Sequence, residues 1–201
     1  MRKTERITET YLSPAARVLT NNLALLSERC RIFFALDIAQ DPVLWITFFE
    51  SIIVQLRALI CEKKNNIEKN YTIQGVLSRL GCDELRVAFD AFLDTKIGCD
   101  RNGCKYSYRE AIKKIADKFI CHYDNQDATE CQNAVSIEIY CDLIDILKSE
   151  AIKHLVSRVF EIIHQALEKN ENDFKHKLIC HLFGSQENYE RVLKIQCPRA
   201  D

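Results

Sequence analysis

Residues that end helices and form tight turns are scarce in this sequence. Only 5 glycines and 3 prolines occur among 201 residues, whereas a sheet-rich domain needs such residues at the ends of most of its strands. Long helices need few of them. The sequence therefore predicts an all-α fold, and a chain of this length forms about one domain with its own core.

Composition and charge narrow the class of protein further. Hydrophobic residues make up 47% of the chain and charged residues 28%, which is typical of a folded globular protein and not of a disordered one. The formal net charge is −1, so the chain lacks the overall basic surplus of many nucleic-acid-binding proteins. A local basic patch is still compatible with this balance.

The ten cysteines have to be interpreted together with the cellular compartment. The N-terminal residues 1–14 contain no apolar segment typical of a secretion signal, and no apolar run reaches the roughly 18 residues of a membrane span. We therefore expect a cytoplasmic protein without a membrane partner, in a reducing compartment. Most of the thiols are then expected to be small buried hydrophobic side chains.

Apolar residues at three- and four-residue spacings predict a series of amphipathic helices. The predicted helices cover residues 15–39, 42–61, 72–80, 83–96, 107–123, 134–169 (one kinked helix or two), 171–183 and 185–196. Residues 96–105 contain an Asn-Gly pair and are predicted to form a loop. Residues 1–201 are thus expected to form a single domain, with a C-terminal helical extension from about residue 171.

The helix predicted after this loop has the clearest pattern in the chain. Ser107 and Glu110 have the spacing of a capping box, in which each side chain hydrogen-bonds the backbone N–H of the other residue. An apolar stripe follows at Ile112, Ile115, Ala116, Phe119 and Ile120. The stripe leads directly into Cys121-His122-Tyr123-Asp124.

Residues 115–124 resemble the signature of the HEPN superfamily, in particular its abortive-infection-like branch. The signature of that branch typically reads Arg-Asp-Lys-Phe-Ile-small-His-Tyr-Asp. The matching residues here are Asp117, Lys118, Phe119, Ile120, His122, Tyr123 and Asp124. Ala116 stands where the family has the arginine of its Arg-x4-6-His motif. The wider resemblance covers residues 15–170, but its specificity comes from this short segment.

The resemblance implies a HEPN-like helical bundle that acts as a metal-independent endoribonuclease without a cofactor. Such proteins usually form homodimers, in which two motifs share a basic cleft, and they occur in toxin–antitoxin or abortive-infection systems. An RNA substrate and a cognate antitoxin are the implied partners. His122 would be the general acid/base and Asp117 an orienting carboxylate, while Lys118, Tyr123 and Asn125 would contact phosphate or ribose.

A basic cluster precedes His122 and offers two interpretations. Arg109, Lys113 and Lys114 are the densest group of cations in the chain together with Lys105 and Lys118. They can form an ordinary solvated helix face. Beside a HEPN-like motif, the same residues would form the rim of a cleft that follows RNA phosphates.

The chemistry of such a site explains why the missing arginine matters. An imidazole with a pKa near about 6.5 can take the proton from a ribose 2′-hydroxyl, and a guanidinium can stabilise the charge on the phosphorus centre. Loss of one preorganised donor of this kind costs about 10² to 10³ in rate. The chain as written is therefore expected to be a crippled nuclease.

Three explanations of Ala116 remain open on sequence grounds. The alanine can be an engineered replacement that made a toxic protein expressible, or it can mark a natural pseudoenzyme. It can also simply belong to the apolar stripe, where an arginine would be costly unless it lined a cleft. The alternative function is accordingly a non-catalytic α-helical interaction or scaffold protein, such as an antitoxin-like subunit.

Two further groups of residues were considered, one as a second Arg–His motif and one as a zinc site. Arg158 and His164 satisfy the bare motif spacing, but a six-residue offset places them about 240° apart around a continuous helix. Cys99 and Cys104, with Cys82 nearby in sequence, resemble half of a zinc site but lack a second pair of ligands. Neither group is expected to form a site.

Overall fold

The computed structural model of the protein describes residues 14–61, 72–79, 81–120 and 130–169. The helices are α1 (Pro14–Phe33), α2 (Pro42–Ile60), α3 (Ile73–Arg79), α4 (Asp83–Leu93), α5 (Tyr108–Lys114), a π-helix (Ile115–Ile120), α6 (Glu130–Ile146) and α7 (Ser149–Lys169). Two strands, β1 (Lys96–Cys99) and β2 (Lys105–Ser107), pair antiparallel. The predicted, mostly helical character is confirmed for this part of the chain. The helices predicted from residue 171, and with them the C-terminal extension, lie outside the described residues.

Helix α2 is the centre of the core. Pro42 occupies its first turn, where a fixed φ and a missing N–H are tolerated. The buried face of α2 contacts α1, α3, α5 and the π-helix. The Trp45 and Phe49 rings stack 5.3 Å apart, and the Phe33 ring of α1 lies 5.1 Å from Trp45. By length and composition alone α2 could cross a membrane, but its buried face belongs to this core.

The first predicted helix ends earlier than its apolar pattern suggests. We expected a helix to residue 39, but α1 ends at Phe33. A turn follows, in which the Asp37 carboxylate accepts the backbone N–H of Ala39 at 2.9 Å. Phe34 and Leu36 continue the apolar spacing without continuing the helix, because side-chain competition for backbone donors favours the turn.

The segment predicted as a loop is instead a β-hairpin, so this prediction is wrong. Cys99 pairs in register with Lys105, and Gly103 at the tip has φ +78°, a left-handed conformation that favours glycine. The buried Asp100 holds the tip, because its Oδ1 accepts the backbone N–H groups of Asn102 at 3.0 Å and Cys104 at 2.9 Å. The Asn-Gly pair therefore signals a hairpin turn.

The long stretch predicted as one kinked helix or two is two helices. α6 ends at Ile146 and α7 begins at Ser149. α6 packs against β1, where Gly98 permits the close approach: a Cβ at this position would lie 2.9 Å from Ile146 Cγ1. α7 packs against α3 and α4. At the first turn of α5, β2 packs on the helix, and the Tyr108 hydroxyl lies 3.0 Å from His154 Nδ1 of α7.

Six cysteines lie in the described part of the chain with their side chains, and all six are free. Cys30, Cys61 and Cys82 are buried, whereas Cys99, Cys104 and Cys141 are exposed. The expectation that most thiols are buried hydrophobic side chains is therefore met by only half of this group.

Candidate functional site

The helix that leads into the HEPN-like segment is fixed firmly at its start. Ser107 Oγ accepts the backbone N–H of Glu110 at 3.3 Å, and Glu110 Oε2 accepts that of Ser107 at 2.8 Å. The predicted capping box is thus confirmed. Lys96 of β1 donates to the same Glu110 carboxylate at 2.5 Å. The hairpin and the box together set the direction in which α5 begins.

The backbone changes its winding where the HEPN-like segment begins. α5 ends at Lys114, and residues Ile115–Ile120 form a π-helix with i→i+5 hydrogen bonds. Ile115 is fully buried and Ala116 is 1% exposed. The methyl group of Ala116 therefore faces the core, in contact with the hydrophobic cluster. An arginine at this position would have to carry its charge into that core or displace its neighbours.

The next residue, Asp117, points the other way and forms an ion pair with α2. Arg57 Nε donates to Asp117 Oδ1 at 3.0 Å, and the two side chains are 29% and 30% exposed. A partly buried pair of this kind is screened only partly by solvent. A guanidinium of α2 thus contacts the residue that directly follows the position where the motif arginine is missing.

Arg109 is held inside the fold. Its guanidinium donates to Asp90 at 2.6 Å, to Asp94 at 2.9 Å and to the backbone carbonyl of Ile60 at 3.0 Å. Burial opposes the charge, but the hydrogen bonds to Asp94 and Asp90 outweigh it and raise the pKa of Arg109. Arg109 therefore joins α5 to α4 and to the end of α2, and two carboxylates compete for it with any phosphate.

The two lysines of α5 differ in their surroundings. Lys113 is exposed. Lys114 donates to the Tyr106 hydroxyl at 2.6 Å, and its ammonium lies 4.8 Å from the centre of that ring. The Tyr106 hydroxyl in turn donates to Asp100 Oδ2 at 2.9 Å. Lys114 thus supports the hairpin, and Lys113 is the α5 lysine that faces solvent.

The buried thiol of Cys61 lies where α2 meets α5, and the charged residues around it act on its pKa. Burial raises the pKa of Cys61 to about 12, while Arg109, Arg57 and Lys113 lower it and Asp117 raises it. Cys61 Sγ also lies 3.8 Å from the backbone carbonyl of Arg109. Three cations and one carboxylate therefore act on the pKa of this buried thiol. Two of the cations are paired, Arg57 with Asp117 and Arg109 with Asp90 and Asp94.

Several of the site residues proposed from the sequence are not among the residues whose placement the structure describes. His122, Tyr123 and Asn125 lie outside the described residues, and the side chain of Lys118 is likewise outside them. The structure brings Ala116 and Asp117 next to Arg57 and groups Arg109 with Lys113 near Cys61. It directs Lys114 towards the hairpin instead.

Sequence reasoning missed Arg57 as a site residue. Arg57 interrupts the apolar pattern of α2, and such an interruption on a core helix is usually a solvated surface residue. Its relation to Asp117 depends on tertiary packing between α2 and the π-helix. The charge of Arg57 in the last turn of a largely apolar helix was the available signal.

The other two groups considered on sequence grounds are separated in the fold. Arg158 pairs with Glu161 at 2.7 Å, whereas His164 pairs with Glu168 at 3.2 Å. Cys82 lies in the core, while Cys99 and Cys104 are exposed on the hairpin. Within the described ranges, no group of three or more His, Cys, Asp or Glu side chains is placed to hold a metal ion.

Comparison with known proteins adds no relative. No family model, curated protein or solved structure matches the chain.

Proposed function

We propose that the chain is a HEPN-like, metal-independent endoribonuclease of a toxin–antitoxin or abortive-infection system, crippled in cleavage because Ala116 replaces the motif arginine. The observation that carries the proposal is the π-helix Ile115–Ile120. π-Helical turns are rare and occur frequently at functional sites. This one coincides with the first half of the segment whose sequence resembles the HEPN signature, so two independent features point to the same residues.

In the proposed reaction, the imidazole of His122 removes the proton from a ribose 2′-hydroxyl, and the resulting oxygen attacks the adjacent phosphorus. The P–O5′ bond breaks, and the departing 5′-oxygen receives a proton. The nucleophile belongs to the RNA itself, so the reaction needs neither a metal ion nor a cofactor. A homodimer in the cytoplasm, with a cognate antitoxin, is part of the same proposal.

Restoration of the arginine tests this function. Ala116→Arg should increase cleavage of single-stranded or transfer RNA in EDTA by about 10² or more, and Ala116→Arg combined with His122→Ala should remove that gain. Because Ala116 is buried, each rate has to be normalised to the folded fraction. A folded Ala116→Arg protein that leaves all these RNAs intact would contradict the nuclease function.

A second candidate is a non-catalytic α-helical interaction protein that kept the scaffold. The specific observation in its favour is the 1% exposure of Ala116, because an alanine fits this core position and an arginine does not. On this alternative, Ala116→Arg is less stable and inactive, and the wild-type protein forms a complex with a partner chain without cleaving RNA.

A further inference from the structure

We infer that Lys114, the last residue of α5, is a positioning residue of the proposed ribonuclease site, because it ties the end of α5 to the β-hairpin and so holds residues Ile115–Ile120 in their π-helical winding. The inference rests on the proposed function, since the segment that Lys114 positions leads to His122. It replaces the role that the sequence suggested for Lys114, a contact with RNA phosphate, by a contact that shapes the motif.

A chain of hydrogen bonds connects Lys114 to the tip of the hairpin. Lys114 Nζ donates to the Tyr106 hydroxyl at 2.6 Å and lies 4.8 Å from the centre of that ring. The hydroxyl donates to Asp100 Oδ2 at 2.9 Å, and Asp100 Oδ1 accepts two backbone N–H groups of the turn. Tyr106 and Asp100 are 8% and 6% exposed, so water competes little for these bonds.

The same hairpin also holds the first turn of α5. Lys96 of β1 donates to the Glu110 carboxylate at 2.5 Å, and Ser107 of β2 forms the capping box with Glu110. Because α5 has only 7 residues, contacts at its first turn and at its last residue leave it little freedom to rotate relative to the hairpin. Lys114 is therefore a fixed reference for the backbone that follows it.

Two contacts to different elements account for the change of winding at this point. Lys114 is held by the hairpin, and Asp117, three residues on, is held by Arg57 of α2. In an α-helix each residue advances by about 100°, which places residues three apart within about 60° of each other around the axis. A π-helix closes its hydrogen bonds one residue further along the chain, so each residue advances less and the two side chains point further apart. The wider angle suits contacts to two separate elements.

The winding of residues 115–120 affects the orientation of the chain that follows. π-Helical turns are much rarer than α-helical ones, so loss of the contact to the hairpin should allow this segment to return to the α-helical pattern. Such a return would rotate the end of the segment around the helix axis, and Ile120 lies two positions before His122. Lys114 therefore acts on the proposed chemistry through the backbone, without touching RNA.

The hydrogen-bond pattern of the full chain tests the effect on the backbone. NMR couplings across hydrogen bonds identify the carbonyl that each amide of residues 115–120 binds. Lys114→Met and Tyr106→Phe should both replace the i→i+5 partners by i→i+4 partners. Tyr106→Phe keeps the ring and removes only the hydroxyl that joins Lys114 to Asp100, so it gives the same comparison if Lys114→Met does not fold. Lys113→Met removes the same charge from the exposed neighbouring position and should keep the i→i+5 pattern.

The kinetics of RNA cleavage separate positioning from binding. In the Ala116→Arg protein, Lys114→Met should lower kcat for a single-stranded RNA in EDTA about tenfold or more and leave KM within about twofold, because Lys114 does not touch the substrate. Tyr106→Phe removes no charge and should lower kcat in the same way. Lys114→Arg keeps a cation with N–H donors and should keep kcat.

The inference is overturned if Lys114→Met and Tyr106→Phe both keep the i→i+5 hydrogen bonds, or if Lys113→Met loses them equally. It is also overturned if Lys114→Met raises KM and leaves kcat unchanged, as loss of a phosphate contact would. A folded Ala116→Arg protein that cleaves no RNA would reject the proposed function, whereas the hydrogen-bond pattern decides whether Lys114 holds the π-helix. His122-dependent cleavage that does not depend on Lys114 or Tyr106 would reject the positioning role and leave the nuclease function standing.

Discussion

Two adjacent residues of the π-helix have opposite surroundings. Ala116 is 1% exposed in the core, while Asp117 is 30% exposed and paired with Arg57. The sequence already suggested that Ala116 belongs to an apolar stripe, and its burial agrees with that explanation. The ion pair of Asp117 could not be read from the sequence, because its partner lies on a helix sixty residues earlier.

The burial of Ala116 makes a direct prediction about stability. If position 116 belongs to the core alone, as the non-catalytic candidate function requires, Ala116→Arg should lower the free energy of unfolding by about 3 kcal/mol or more, since an unpaired charge enters the core. Ala58→Arg introduces the same side chain at an exposed position of α2 and should change stability by less than about 0.5 kcal/mol. Urea denaturation of both variants measures the difference. Equal small effects would show that position 116 opens onto a cleft.

Burial also predicts which thiols react. Burial raises the pKa of Cys30 and of Cys61 to about 12, so almost none of either thiol is ionised near neutral pH. Cys99, Cys104 and Cys141 are exposed. Brief alkylation of the native protein, followed by mass spectrometry of its peptides, should modify these three and spare Cys30 and Cys61. Rapid native labelling of Cys61 would contradict its burial at the end of α2.

The same two thiols make stability depend on pH in a defined direction. An unfolded thiol has a pKa of about 8.5, and the folded value of about 12 is higher. The folded state therefore retains protons that the unfolded state releases. The resulting contribution is complete below about pH 8.5 and is lost as the pH rises towards 12. Cys30→Ala should show a smaller loss of stability between these limits, measured by urea denaturation, and an unchanged loss would contradict the burial of Cys30.

Helix ends that are fixed by residues close together in the sequence could be predicted. The hairpin and the π-helix, which the local sequence does not specify as clearly, could not. Ser107 and Glu110 determine their own capping box, and Pro42 determines the start of α2. The hairpin was missed because β1 and β2 have only 4 and 3 residues, too few to show alternation. The π-helix was missed because its apolar spacing also fits an α-helix, so the spacing cannot distinguish the two.

The capping box has a measurable role in the element that carries the site. Ser107→Ala should destabilise the protein by about 1 kcal/mol, because the backbone N–H of Glu110 loses its acceptor at the helix start. Ser51→Ala, within α2, is the matched control and should cost little, since alanine favours a helix interior. Thermal denaturation of the two variants should show the larger decrease for Ser107→Ala. Equal decreases would mean that the box does not anchor α5.

On the scale of the whole molecule, the fold brings cations from two helices together at the junction of α2 and α5 and pairs the two arginines among them with carboxylates. The formal net charge of −1 gives no sign of it. This group forms because α2 contributes Arg57, and α5 contributes Arg109 and Lys113, to one region around Cys61. Sequence alone identified the α5 residues of this group, since they lie close together in the chain, but not the contribution of α2.

Self-association is the second property of the whole molecule that can be predicted. The proposed composite cleft requires two copies, and α2 exposes apolar side chains at Val43, Leu44 and Val54. Light scattering at micromolar concentration should give about twice the chain mass of 23.3 kDa. A mass that stays at the monomer value up to hundreds of micromolar would contradict a composite site.

Whether the chain retains the chemistry of a ribonuclease is decided by one comparison of substrates. The folded Ala116→Arg protein is incubated in EDTA with an RNA and a DNA of the same sequence, beside the variant that also carries His122→Ala. We expect cleavage of the RNA only, with 2′,3′-cyclic phosphate ends, because the 2′-hydroxyl is the nucleophile, and we expect no cleavage by the double variant. Intact RNA with the folded single variant, or cleavage that persists without His122, would contradict the proposed function.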